Sequence, residues 1–295
     1  MFTSNSNSNN SSTDFARYIG VAALHVIAVN PDMATLNKYG FNVDKEPEYV
    51  KTMGDAQYGN TRLLCAIDDL PDKPLVSLYF RAFTEVQNNA SNTKAKVIDK
   101  YGNTAWATRE EIKAKEIPVY ANGKKAIIDQ NYRPCHRGEE ELIKFIKTYL
   151  RVTPYQYKDR KTGQFVLSKN PGECAFEHWK MLAAGDGKEL QEALDLNPDG
   201  LIRVILGVRT TDDNKTYQTF IPAEFLSYGS TPVQKDGKRI YTYAQHIIDN
   251  WQKDGRNSNE TYSAEPVKEY NPKPSDVEEF EPTPFDDDPD DLPFD

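Results

Sequence analysis

Between Lys94 and Lys161 the chain sets cations and flat rings side by side. The rings are Tyr101, Trp106, Tyr120, Tyr132, Tyr155 and Tyr157, and among them stand Lys100, Lys124, Lys125, Arg133, Arg137, Lys158, Arg160 and Lys161. Together these two kinds of side chain suit one ligand. Ammonium and guanidinium groups track a phosphate backbone, while rings stack on unpaired bases at ~1–3 kcal/mol per base. A plainer reading competes with it, in which the tyrosines pack short strands and the lysines form a solvated face. The charge distribution bears on the choice. The whole chain of 295 residues is −9, which would repel phosphate. Residues 94–161, however, carry 16 basic and 9 acidic side chains, and residues 264–295 carry 2 and 12. A net +7 middle is therefore joined to a net −10 end, and the stretches between and before them are each −3.

Something must hold the middle in place, and the length allows one large domain or two modest ones. The first dozen residues are almost all Ser and Asn, too polar to offset the entropy of ordering. Residues 1–14 read as a disordered leader, 15–263 as the folded body and 264–295 as a disordered acidic tail. Within the body, Tyr18–Val29 is apolar and β-branched enough for a buried strand, ended by the turn pair Asn30-Pro31. Strand patterns follow at Thr61–Ile67 and Leu75–Val86. Hairpins are expected around Gly102-Asn103, Asn122-Gly123 and Lys161-Thr162-Gly163. Helical periodicity marks Glu139–Leu150, with Glu139, Glu140 and Glu141 in the first turn, and recurs at Ala175–Ala184 and Lys188–Leu194. Strands resume at Leu201–Arg209 and Thr216–Pro222. Many short strands with added helices predict a mainly β, α+β fold, with a barrel or sandwich as its core.

The tail adds a second chemistry. Its end, Phe285-Asp286-Asp287-Asp288-Pro289-Asp290-Asp291-Leu292-Pro293-Phe294-Asp295, mixes carboxylates with isolated apolar groups. A Phe flanked by carboxylates suits a partner pocket with an apolar floor and a basic rim. An anionic segment tethered to a basic groove also occupies that groove in competition with nucleic acid.

A strand-rich basic body with the tip Asp290-Asp291-Leu292-Pro293-Phe294-Asp295 resembles single-stranded DNA-binding proteins. Gly20-Val21-Ala22 leading into Val29-Asn30-Pro31, the helix opening Arg137-Gly138-Glu139-Glu140-Glu141-Leu142 and the strand Gly207-Val208-Arg209-Thr210 resemble those of tailed bacteriophages. The resemblance covers roughly Phe15–Asp295. It implies an oligonucleotide-binding (OB) barrel with helical insertions that coats single-stranded DNA in phage replication, recombination and repair, in the cytoplasm of the infected bacterial host. It also implies a tail that recruits replication and recombination proteins. In the bacterial proteins the Phe is the final residue, whereas here Asp295 follows it, which points to phage-encoded partners. A different reading is a phage structural or packaged protein with an assembly role.

Other classes fit less well. Three cysteines, Cys65, Cys135 and Cys174, are too few and odd in number for a secreted disulfide framework and suit a reducing cytosol. The apolar run Val21–Val29 is broken by His25 and far shorter than the ~20 residues of a bilayer crossing, so no membrane partner is expected. For zinc, Cys174 and His178 have helical i, i+4 spacing, but Cys135 and His136 are adjacent and no C-x₂-C occurs. No metal or cofactor is expected. Asp68-Asp69 and Asp212-Asp213 are adjacent pairs in turns, whose side chains point apart, and there is no phosphate-cradling P-loop. The chain therefore reads as a binding protein and not an enzyme. Its expected DNA contacts are Tyr101, Trp106, Tyr120, Lys124, Lys125, Tyr132, Arg133, Arg137, Tyr155, Tyr157, Lys158, Arg160 and Lys161. Deleting residues 264–295 is expected to tighten DNA binding at low salt and abolish recruitment, as read by oligonucleotide titration.

Overall fold

The computed structural model describes residues 16–54, 56–99, 102–115, 117–121, 124–128, 132–149, 157–158, 165–166, 179–195, 200–212, 215–221, 226–227, 238–253 and 259–270. Among them the fold is mainly β with added helices, the mixed class expected. Its frame is a nine-stranded sheet. Three long strands carry it: β1 (Arg17–Val29), β3 (Ala56–Ile67) and β12 (Ile202–Thr210). β1 pairs with β12 through Gly20–Leu24 and with β3 through Leu24–Val29, with a bulge between Val26 and Ala28. That bulge turns one strand between two neighbours. β2 (Val50–Met53) and β4 (Leu75–Phe83) pair with β3, and β13 (Thr216–Phe220) and β14 (Leu226–Ser227) pair with β12.

β1 and β12 are buried on both faces, which explains their near-continuous apolar sequence. Successive residues of a strand point to opposite faces. Ala22 and its partner Val204 therefore face the main core, which also holds Leu142, Phe145 and Ile146 of α3 (Glu139–Tyr149), Trp179 and Leu182 of α4 (179–183) and Leu190 and Leu194 of α5 (Lys188–Asp195). Val21 and its partner Ile205 face the other way, onto Ala244, Ile247 and Ile248 of α6 (Lys238–Lys253). No helix among the described residues is long and apolar enough to cross a membrane.

Smaller sheets lie beside this frame. β5 (Lys94–Ile98) pairs with β6 (Thr104–Thr108) and with β9 (Arg133–Pro134). β7 (Ile117–Ala121) pairs with β8 (Lys124–Ile128), and β10 (Tyr157–Lys158) with β11 (Phe165–Val166). All three hairpins fall where their turn residues predicted. α1 (Met33–Lys38) is capped by Asp32, and α2 (Arg109–Ala114) by a Thr108–Glu111 capping box.

The expected boundary at 263/264 is corrected. Residues 264–270 belong to the body: β15 (Glu260–Tyr262) pairs with β12, and β16 (Lys268–Tyr270) pairs with Arg17–Ile19 of β1. Ala264 and Val267 are buried, which a composition count dominated by the acids further on conceals. Gly20 makes this return possible. Its φ of +124° and the backbone of Glu265–Val267 within 2.7–2.9 Å of a hypothetical Cβ leave room for glycine alone. The leader 1–14 and the residues beyond 270 lie outside the described residues. A test of the acidic tail should therefore remove 271–295 and leave β16 intact.

The ladders do not close a barrel among the described residues. β4 and β13 stand at the two sides of the seam, and what meets across it is a ring pair, Phe80 on Phe220, with centroids 5.6 Å apart. Gln218 of β13 also reaches Tyr18 of β1, where its side-chain oxygen accepts from the Tyr18 N–H at 2.9 Å and its nitrogen donates to the Tyr18 oxygen at 2.9 Å. The same nitrogen donates to the Gly207 oxygen at 2.8 Å, so one amide side chain stands in for a backbone rung. Gln218→Ala should cost about 1–3 kcal/mol, because it leaves the backbone N–H and carbonyl of Tyr18 without their partner. Urea unfolding with an unchanged m-value would register the loss.

Candidate nucleic-acid interface

The β3–β4 ladder has one dry face and one that opens to solvent between Tyr58 and Arg62 on β3 and between Ser77 and Arg81 on β4. Leu63, Cys65, Val76, Leu78 and Phe80 point inward and are 0–5% exposed. The alternate positions, Tyr58, Asn60 and Arg62 on β3 and Ser77, Tyr79 and Arg81 on β4, share the outer face. In register, Arg62 stands opposite Tyr79, Asn60 opposite Arg81 and Tyr58 opposite Phe83. Arg62 and Arg81 are the charged residues of these two strands, which contain no Asp or Glu.

Each cation on this face lies against a ring. The Arg62 guanidinium is 4.8 Å from the Phe41 centroid, and its Nε donates to Ser77 Oγ at 2.8 Å. Arg81 lies 5.9 Å from the Tyr58 ring, which stacks on Phe83 at 4.9 Å. Arg137 sits 4.7 Å from the other partner of that stack, Phe83. A guanidinium held flat on a ring keeps its planar fork oriented toward a phosphate. Tyr79 remains 45% exposed, an open platform beside two guanidiniums. Tyr49 borders the face, its hydroxyl donating to the Pro31 oxygen at 2.7 Å and its pKa pushed up to about 12 by burial.

A second aromatic–cation pair lies on β5–β6. Trp106 is 39% exposed and directly opposite Lys96, whose Nζ is 5.5 Å from the ring centroid. Lys96 also forms an ion pair with Glu140 at the start of α3, and Glu140 lies 3.7 Å from Lys144.

The residues expected from sequence divide into several kinds. Trp106 is exposed, and Arg137 joins the β3–β4 face. Tyr132 is half-buried against Val97 and Ala107 and acts as packing, as in the plainer reading. Arg133 is taken by Glu139: Nη1 donates to Oε2 at 3.0 Å, and Nη2 pairs with Oε1. Tyr120 and Lys125 are cross-strand partners in β7–β8, with Lys124 beside them, and Tyr157 and Lys158 lie on β10. Tyr101, Tyr155, Arg160, Lys161 and the tail residues 285–295 lie outside the described residues, as do Cys174 and His178. Of the zinc candidates, Cys135 is buried, and its thiol is pushed up to about 12 chiefly by that burial, unlike a thiolate ligand. Among the described residues no group of three or more His, Cys, Asp or Glu could hold a metal ion.

Sequence reasoning missed Arg62, Tyr79, Arg81, Tyr58 and Lys96. The signal was present as strict alternation in Tyr58-x-Asn60-x-Arg62 and Ser77-x-Tyr79-x-Arg81. It was diluted because the surrounding stretch, residues 1–93, is net −3.

Three consecutive glutamates at the head of α3 occupy three different environments. Glu139 is fully buried; burial alone would raise its carboxyl, but hydrogen bonds from His136 and Arg133, with the guanidinium charge, outweigh that and lower it. For Glu140 burial is likewise outweighed, by Lys96 and then Lys144. For Glu141 the charge of Lys144 does not outweigh burial, and its carboxyl is pushed up to about 7. The signs of the linkage differ. Glu139, lowered in the fold, stabilises above the unfolded pKa of roughly 4.3 and loses that contribution as pH falls through its folded value. Glu141, raised, imposes a cost that grows between roughly pH 4.3 and its folded value of about 7. Glu141→Gln should therefore raise the thermal midpoint at pH 8 and leave it unchanged near pH 4, whereas Glu139→Gln should lower it at pH 7. Scanning calorimetry across pH reads both.

No family model matches the chain, and neither the curated proteins nor the solved structures contain a match.

Proposed function

We propose that the protein binds single-stranded DNA across the outer face of β3–β4. The observation that carries this reading is a two-stranded surface with arginine as its only charge, each guanidinium laid on a ring and Tyr79 left open. Same-face residues recur every ~6.6 Å along a strand, a spacing suited to an extended single strand. The strand order supports an OB-like core. We read β4-β3-β1-β12-β13, antiparallel at each ladder and with Phe220 of β13 against Phe80 of β4, as the five strands of such a core. Oligonucleotides bind such barrels on the face of the second and third strands, which here are β3 and β4.

The motif resemblance extends the proposal to a tailed-phage protein that protects single strands during replication, recombination and repair in the infected host's cytoplasm. Residues 271–295 would recruit replication partners.

Titration of labelled oligo(dT) at several salt concentrations, with a duplex control, tests the reading. Arg62→Ala and Arg81→Ala should each reduce the salt slope by about 0.7 as one phosphate contact is lost. Tyr79→Ala should cost about 1–3 kcal/mol of affinity with the slope unchanged. Equal affinity for duplex and single strand, or variants that bind like the parent, would overturn it in favour of an assembly role.

A further inference from the structure

Lys96 lies between an indole and a carboxylate. Its side chain is 15% exposed, that of Glu140 is 28% exposed, and Trp106 is 39% exposed, so the group lies at the surface but is largely covered. We propose that Lys96 and Trp106 form a second nucleotide station, gated by Glu140: the carboxylate occupies the ammonium until a nucleic-acid phosphate displaces it, and the base stacks on Trp106. This rests on the single-stranded DNA reading above.

Carboxylate and phosphate are both oxyanions and compete for one ammonium. Exchange requires that the displaced carboxylate not be left buried and alone. Glu140 meets that condition, because it is partly exposed and Lys144 stands 3.7 Å away on the same helix face to take over from Lys96. The adjacent pair does not meet it. Glu139 is 0% exposed, and loss of Arg133 would leave its charge inside the protein. Arg133–Glu139 is therefore a lock, and Lys96–Glu140 is an exchangeable pair one residue further on. The ring fixes where the exchange happens: Trp106 is the direct cross-strand neighbour of Lys96, so a base stacked there brings its own phosphate to the ammonium.

A double-mutant cycle on the full chain, with oligo(dT) as the probe and tryptophan fluorescence as a second readout, tests this. Glu140→Gln should tighten binding about 1.5- to fivefold at low salt, the range of a partly exposed ion pair, and steepen the salt dependence. Adding Lys96→Gln should abolish the gain, so that Lys96→Gln costs more affinity in the Glu140→Gln background than in the parent. Glu140→Asp keeps the charge but shortens its reach. It should also tighten binding, and it carries the test if Glu140→Gln fails to fold. Unchanged affinity in the glutamate variants, or a gain that survives Lys96→Gln, would overturn the gate. A parent that binds oligo(dT) through Arg62 and Arg81 while Glu140→Gln has no effect removes the gate alone. A parent that binds no single strand removes the underlying reading.

Discussion

A strand of 13 residues that is dry on both faces needs neighbours on every side, and β1 has them. β12 and β3 flank it, the α3–α5 core lies under one face, and α6 covers the other near Val21. This double burial fixes where water can reach the sheet. β12 is sealed in the same way along most of its length. The β3–β4 ladder, displaced from α6, keeps one face wet, and the arginines and rings are found there. The location of the candidate interface is thus a consequence of how β1 is covered.

Legibility in the sequence followed the range of the interactions. β1, the β5–β6, β7–β8 and β10–β11 hairpins, α3, α5 and the β12–β13 pair were readable, because an apolar run, a turn dipeptide or a 3.6-residue period lies within a dozen neighbouring residues. α6 was readable in principle, since Ile240, Tyr241, Ala244, Ile247, Ile248 and Trp251 repeat at helical spacing, yet the polar residues between them dominate its composition. β15 and β16 were not readable, because three-residue strands become strands only through partners more than fifty or two hundred residues away. The site shows the same division. Arg133 looked like its neighbour Arg137, and only the fold reveals that Glu139 takes one while Phe83 carries the other.

Charge is likewise resolved by position and not by sum. The basic middle of the sequence does not arrive at the surface as a uniform patch. Lys96 and Arg133 are met by glutamates of one helix turn, and Tyr132 turns inward, while two arginines from an overall acidic stretch stand on the open strand face. Net charge per segment ranks regions of the chain. It does not say which cations the fold has already neutralised.

The return of β16 onto the start of β1 has a consequence for how the molecule comes into being. Arg17 is partnered by Tyr270, so β1 waits for a strand made some 250 residues later, and Gly20 is shaped for a segment that does not yet exist when it emerges. Closure of so long a loop belongs late in folding, when the rest of the sheet is already assembled. Until then the β1 edge at Arg17–Ile19 is an unpaired strand, open to whatever chain is nearest. A body built this way is complete only once residues 265–270 have been added, long after β1 itself.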